Sequence, residues 1–126
     1  MSNPNQAILL VGGGLGIGLC VTRTILNMSA KTTKIVVFGL HADPELGSLS
    51  EKYPGQVCSI IGDVTSAADR IKAIETCRSH MAGVDTLVYS AGTMGAISRI
   101  EKLDIEAFKT VYDVNLFGLL AMVRIF

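Results

Sequence analysis

Four short runs of aliphatic and β-branched residues punctuate the chain, at positions 7–11, 34–38, 57–61 and 86–89. Each is followed by a turn and then by a stretch with helical spacing. The runs are continuously apolar rather than alternating, which reads as strands covered on both faces. Parallel neighbours need long crossovers, and these are right-handed in nearly all cases. The pattern therefore predicts the α/β class: a doubly wound parallel sheet with helices on both faces.

The first helix opens within the glycine run and places Ile17, Val21, Ile25 and Met28 on one face, spaced for burial, with residues 29–33 ending it. A second, short and mostly exposed helix at 44–52 starts after Asp43, an N-cap followed by proline at the first helical position, and stops before Pro54-Gly55. The third runs from Ser66 to about Met81. Ser66 and Asp69 have capping-box spacing, Ile71, Ile74 and Cys77 lie beneath, and Gly83 terminates it. The last helix begins near Asp104 and carries Phe108, Val111, Tyr112, Leu119, Met122 and Phe126 as an apolar stripe, with the amide of Asn115 inside it. It reaches Phe126 with no cap, glycine or polar exit, which predicts an element that continues and a fold incomplete at that end. No repeat or linker divides residues 1–126, so one domain is expected.

Composition sharpens this picture. Apolar residues at 49% against 17% charged suit a sheet buried under helices. Eleven basic residues balance eleven acidic ones, so no net field would gather nucleic acid or anionic lipid. Residues 1–6 hold no targeting signal, and the apolar stretch 116–123, broken by Gly118, falls short of the roughly 20 residues that cross a bilayer. A cytoplasmic location without membrane contact is the expectation. Cys20, Cys58 and Cys77 are odd in number and lack CxxC pairing, which predicts buried thiols in a reducing compartment and no metal site.

Candidate chemistry starts where Ile8-Leu9-Leu10-Val11 passes into Gly12-Gly13-Gly14-Leu15-Gly16-Ile17-Gly18. Bare backbone at a strand's carboxyl end lets a diphosphate approach closely, and the helix start adds unpaired N–H groups and partial positive charge. A packing turn without ligand is the alternative. No lysine precedes Lys31, which argues against a triphosphate loop, and glycines at first, third and sixth positions are not found. What is found is Gly-x-x-x-Gly-x-Gly at Gly12, Gly16 and Gly18.

This spacing resembles the short-chain dehydrogenase/reductase family, whose loop is Thr-Gly-x-x-x-Gly-x-Gly. Val11 stands in the threonine's place and removes a hydroxyl that braces the loop. Further along, Gly62-Asp63-Val64-Thr65 is similar to the family's turn whose acid meets the adenine amino group. Asp85-Thr86-Leu87-Val88-Tyr89-Ser90-Ala91-Gly92 resembles Asp-x-Leu-Val-Asn-Asn-Ala-Gly, with Tyr89-Ser90 replacing both asparagines. Asn115 matches the asparagine that, in the family, kinks this helix and holds a water in the proton relay to the catalytic lysine. The four matches occur in the family's order across the whole chain.

The resemblance implies a Rossmann-like dinucleotide-binding domain and an NAD(P)-dependent oxidoreductase of carbonyl or alcohol reductase type, acting on a small molecule. It assigns cofactor binding to Gly12, Gly14, Leu15, Gly16, Ile17 and Gly18, to His41, to Asp63 and Val64, and to Ser90, Ala91 and Gly92, with Asn115 on the catalytic side. The second strand ends Val37-Phe38-Gly39-Leu40-His41 without the acid that NAD users place there, which favours NADP; His41 is either the group that faces its 2′-phosphate or an incidental surface histidine. Leu15 stands where NADP users often carry arginine or lysine.

The family's tyrosine and lysine, four residues apart, are missing: Tyr53, Tyr89 and Tyr112 are followed at that distance by Val57, Thr93 and Leu116. The family's catalytic serine likewise falls outside this half. The chain is therefore expected to be the cofactor-binding half of a longer reductase, with an uncovered apolar end able to pair with another copy. Rivals are a non-catalytic dinucleotide sensor or scaffold and an S-adenosylmethionine-dependent methyltransferase. The latter is disfavoured because Leu10, not an acid, precedes Gly12-x-Gly14-x-Gly16 by two residues.

Overall fold

Four parallel strands, β1 (Ala7–Val11), β2 (Lys34–Gly39), β3 (Val57–Ile61) and β4 (Thr86–Tyr89), form a sheet in the order β3-β2-β1-β4. The computed structural model describes residues 6–126; the leading five, within the stretch expected to be free of targeting signal, lie outside them. Helices α1 (Gly16–Met28), α2 (Pro44–Lys52) and α3 (Ala67–Met81) connect the strands. After β4 come α4 (Ile105–Tyr112), a π-helical turn (Asp113–Phe117) and α5 (Gly118–Ile125).

Each strand sends alternate residues to opposite faces. Ile8, Leu10, Ile35, Val37 and Val57 meet Leu19 and Leu26 of α1 and Leu46 and Leu49 of α2. Leu9, Val11, Val36 and Phe38 meet Ala73 and Cys77 of α3 and Met122 of α5. Two cores on one sheet explain the unbroken apolar runs of the central strands β1 and β2, whereas β3 and β4, at the sheet's edges, are only partly covered. The expected doubly wound α/β fold is the one observed.

The helices depart from expectation in roll rather than position. Ile17 and Met28 are 80% and 79% exposed, and α1 instead buries Gly18, Leu19, Thr22 and Leu26, with Val21 and Ile25 at the margin. The cause is local: Gly18 packs directly on the Gly12 carbonyl, and that contact sets which side of the helix faces the sheet. On α3, Ser66 caps as expected by accepting the Asp69 N–H at 3.2 Å, but Ile71 is exposed while small Ala73 and Cys77 occupy the contact. That helix ends on Ala82, in the left-handed region at φ 61°, one residue before Gly83. On α2, Asp43 Oδ1 caps the Glu45 N–H at 2.8 Å, and only Leu46 and Leu49 are buried.

The last helix starts on Asp104, whose Oδ1 accepts from Glu106 and Ala107 N–H groups at 3.0 and 3.1 Å, but the π turn interrupts it. Of the expected stripe only Met122 is buried; Phe108, Tyr112 and Phe126 lie largely in solvent. Cys77 is buried, Cys58 half-buried and Cys20 exposed, which corrects the expectation of three buried thiols. Among the described residues no helix is long and apolar enough to cross a membrane.

Burial raises the Cys77 thiol from an ordinary 9.0 to about 11, with Cys58 adding to the shift. A raised native value means that folding is favoured in full below the unfolded pKa and that this contribution is lost as pH climbs from 9 toward 11. Urea melts across that window should show falling stability, with a shallower decline in Cys77→Ala. Phe38→Ala, which empties a fully buried site, should cost about 3–5 kcal/mol in the same measurement.

Candidate functional site

The loop after β1 is fixed by backbone contacts that admit no side chains. The Gly12 N–H donates to the Phe38 carbonyl of β2 at 2.7 Å, and the Asp43 N–H donates to the Gly14 carbonyl at 2.8 Å. A Cβ at Gly12 would lie 2.7 Å from Ala91 Cα; one at Gly14 would overlap the His41 carbonyl, and one at Gly18 the Gly12 carbonyl. Gly16 differs: its surroundings are open, but its φ of +51° lies in the left-handed region. Thr22, fully buried one helical turn beyond Gly18, supplies a brace the sequence did not reveal. Its hydroxyl lies 3.0 Å from the Gly18 carbonyl and 3.3 Å from that of Gly13. It thus takes over at the loop the bracing that Val11 cannot provide.

The first amides of α1 follow directly on this loop. Leu15 caps the helix with no side-chain hydrogen bond and no acid occupies the first turn. The first bond of the helix runs from the Leu19 N–H to the Leu15 carbonyl at 3.1 Å, so the N–H groups of Gly16, Ile17 and Gly18 precede it. They carry the positive end of the helix dipole, unopposed by any side chain of the turn.

A cleft of about 490 Å³ opens beside this loop at the carboxyl ends of the strands. The chain steps from β1 to β2 to β3 in one direction and then crosses back to place β4 on the other side of β1, so the cleft sits at the topological switch point. Gly12, Gly14, Leu15 and Gly16 form one wall and Leu40 with His41 another. Asp63 and Val64 follow β3, and Ser90, Ala91, Gly92 and Thr93 follow β4. Thr110 and Val114 close it from the last helical region.

The walls are held from behind. Asp63 Oδ1 accepts from the Thr65 N–H at 2.8 Å and the Thr65 hydroxyl at 2.7 Å, while its own N–H donates to Asp69 Oδ2 at 2.9 Å. The Arg70 guanidinium donates to the Val64 carbonyl at 2.8 Å. The Ser90 N–H donates to the Val11 carbonyl at 2.7 Å, tying the β4 turn to β1. Arg23 forms a two-pronged pair with Glu45, at 2.6 and 3.1 Å, that fastens α1 to α2.

Of the residues singled out in the sequence, the fold brings the loop glycines 12, 14 and 16, Leu15, His41, Asp63, Val64, Ser90, Ala91 and Gly92 to one cleft. It leaves two aside: Gly18 is a packing contact, and the Ile17 side chain points to solvent. Asn115 is not buried among apolar residues. It stands exposed in the π turn, its Oδ1 accepting the Thr93 N–H and its Nδ2 donating to the Thr93 carbonyl, each at 2.8 Å. The amide thus has a satisfied structural role at the cleft edge. Tyr89, which replaces an expected asparagine, donates its hydroxyl to the Val114 carbonyl. Burial raises its pKa, opposed by Arg70 and assisted by Asp63, so it stays a donor at neutral pH. Among the described residues no three His, Cys, Asp or Glu side chains gather as metal ligands.

A parallel α/β sheet with a glycine-walled cleft at its switch point defines a nucleotide-fold protein. The family model for short chain dehydrogenases matches residues 6–126, and the chain belongs to that family. An uncharacterized oxidoreductase of Saccharomyces cerevisiae is 26% identical over 121 residues, covering 95% of this chain and 46% of the relative. Its crystal structure superposes with a TM-score of 0.87 over 96% of this chain and 47% of that one. The 2-(S)-hydroxypropyl-CoM dehydrogenase 3 of Xanthobacter autotrophicus is 33% identical over 121 residues, 94% of this chain and 46% of the relative. An NADPH-bound carbonyl reductase from chicken fatty liver shares the fold, with TM-score 0.84 and 22% identity over 95% of this chain and 49% of its own. The chain spans about half the length of the curated relatives it matches.

Thr22→Val, which keeps shape and removes the loop's side-chain brace, should lower stability by about 1 kcal/mol in urea melts. Gly18→Ala should cost more, about 1–3 kcal/mol, because its methyl group displaces the Gly12 carbonyl.

Proposed function

We propose that the cleft holds the adenosine and diphosphate portions of a nicotinamide dinucleotide, NADP in preference to NAD, and that the chain is the cofactor-binding part of an oxidoreductase acting on a small carbonyl or alcohol. The observation that carries this reading is the side-chain-free wall at Gly12, Gly14 and Gly16, set against helix-start amides with no acid in the first turn. A diphosphate fits there for two reasons: at Gly12, Gly14 and Gly16 only backbone limits its approach, and the available donors suit an anion. The amides from Gly14 to Gly18 would hold it. Asp63 and Val64 would receive the adenine, with Ser90, Ala91 and Gly92 beneath the adenosine half. His41, in the wall after β2, would meet the group at the ribose 2′ position; the absence of an acid at that strand end favours a phosphate there.

When bound, the dinucleotide supplies a hydride acceptor or donor. The residues of this chain would bind and orient it, and Asn115, its amide held at both ends by Thr93, would stand at the edge of the cleft on the side of the proton relay. A location in the cytoplasm is part of the same proposal. A second reading is a dinucleotide sensor or scaffold without catalysis. NADPH binding without turnover across a panel of carbonyl compounds would select it.

Fluorescence titration with NADPH and NADH tests the proposal, with tighter NADPH binding expected. Gly16→Asp is the sharpest variant, because open space around Gly16 admits the side chain. The left-handed backbone should cost about 1 kcal/mol, whereas a carboxylate at the diphosphate position should weaken binding at least about tenfold through like-charge repulsion. Unchanged affinity in that variant, or no binding of either dinucleotide by the parent chain, would overturn the assignment.

A further inference from the structure

The π turn between α4 and α5 leaves one backbone group without its helical partner. In an uninterrupted α-helix the Gly118 N–H would donate to Val114, four residues back. Here it donates instead to Asp113, five residues back. The Val114 carbonyl, thus released, accepts the Tyr89 hydroxyl from the end of β4. The space that hydroxyl needs is supplied by Gly118 itself: a Cβ there would lie 2.5 Å from Tyr89 Oη and 3.1 Å from Val64 Cγ1.

We propose that Tyr89 is a positioning residue for the cleft: its hydroxyl replaces the donor that the π turn withdraws from Val114, and so holds Asn115 in register with Thr93. The extra residue in a π turn rotates α4 by about 100° relative to α5, the angle one residue subtends in an α-helix. Closing the turn to α geometry would swing Asn115 away from the Thr93 main chain, which it grips by both ends of its amide at 2.8 Å. Thr93 lines the cleft, so its wall depends on this register. Tyr89 and Gly118 form one device, a donor and the vacancy that admits it. The binding part of this inference rests on the dinucleotide reading; the structural part does not.

Hydrogen exchange of the unliganded chain and NADPH titration together provide the test. Tyr89→Phe should speed exchange of the Thr93 amide and weaken NADPH binding about five- to tenfold, the loss of one partly buried hydrogen bond. Gly118→Ala alone should lower the melting temperature, because its methyl group meets the tyrosine hydroxyl. In the double variant Tyr89→Phe/Gly118→Ala the helix can close to α geometry, and alanine favours it. Its melting temperature should recover while Thr93 exchange stays fast and affinity stays low. A purely structural tyrosine would instead move stability and binding together, so recovery of both in the double variant would overturn the proposal. Unaltered Thr93 exchange in Tyr89→Phe would do the same. If the parent chain binds no NADPH, the dinucleotide reading fails alone, and the exchange data still decide the role of Tyr89.

Discussion

Backbone touching backbone at the end of β1 is the constraint on which the rest of the structure depends. Gly12 lies against Ala91, Gly18 against the Gly12 carbonyl, and Gly14 against the His41 carbonyl. Three segments that carry most of the cleft converge there, and the loop after β1 has no room for a methyl group at Gly12, Gly14 or Gly18. The contact at Gly18 fixes the roll of α1 and brings Thr22 beneath the loop; the contact at Gly12 fixes how close the β4 turn comes to β1. Space for a ligand results from the same omission, since the missing side chains at Gly12, Gly14 and Gly16 leave room beside the helix-start amides.

The two central strands support this junction by being buried on both sides. Leu9, Leu10, Val11 and the β2 run from Ile35 to Phe38 are essentially inaccessible, so the strand ends that present the cleft are held by two separate cores. A rigid platform with polar turns at its carboxyl edge is the usual arrangement for sites in open parallel sheets. Hydrogen bonds complete it where apolar packing thins. Asp63, Ser66, Asp69 and Arg70 tie the β3 turn to α3, and Asp43 anchors the loop to α2.

On the far side of the cleft the support is of a different kind. The α4–α5 region buries little, yet Tyr89, Asn115 and Gly118 meet there through specific polar and steric contacts. Single π turns of this sort are found preferentially at functional sites because they aim one side chain differently from its neighbours. The side chain aimed here is Asn115, and its target is the main chain of Thr93.

Much of this was legible in the amino-acid order. Continuous aliphatic runs gave the strands, and the central pair β1 and β2 is buried on both faces as such runs require, while the edge strands β3 and β4 are only partly covered. Asp43, Ser66 and Asp104 give helix starts because their short oxygen-bearing side chains cap nearby amides. The spacing of Gly12, Gly16 and Gly18 marked the loop, and the turns at Asp63 and Ala91 marked the other walls. What the order of residues left open was decided by contacts between elements distant along the chain. Periodicity placed Ile17 and Met28 on the buried face of α1, but a single close approach at Gly18 turned the helix past them. Gly83 carried the stop signal, yet Ala82 took the left-handed position. The match at Asn115 marked a kink in the last helix but not its form as a π turn, because the acceptor it frees is satisfied by a tyrosine twenty-five residues earlier. Local chemistry determined which elements form; their roll and register were set only once the backbones had met.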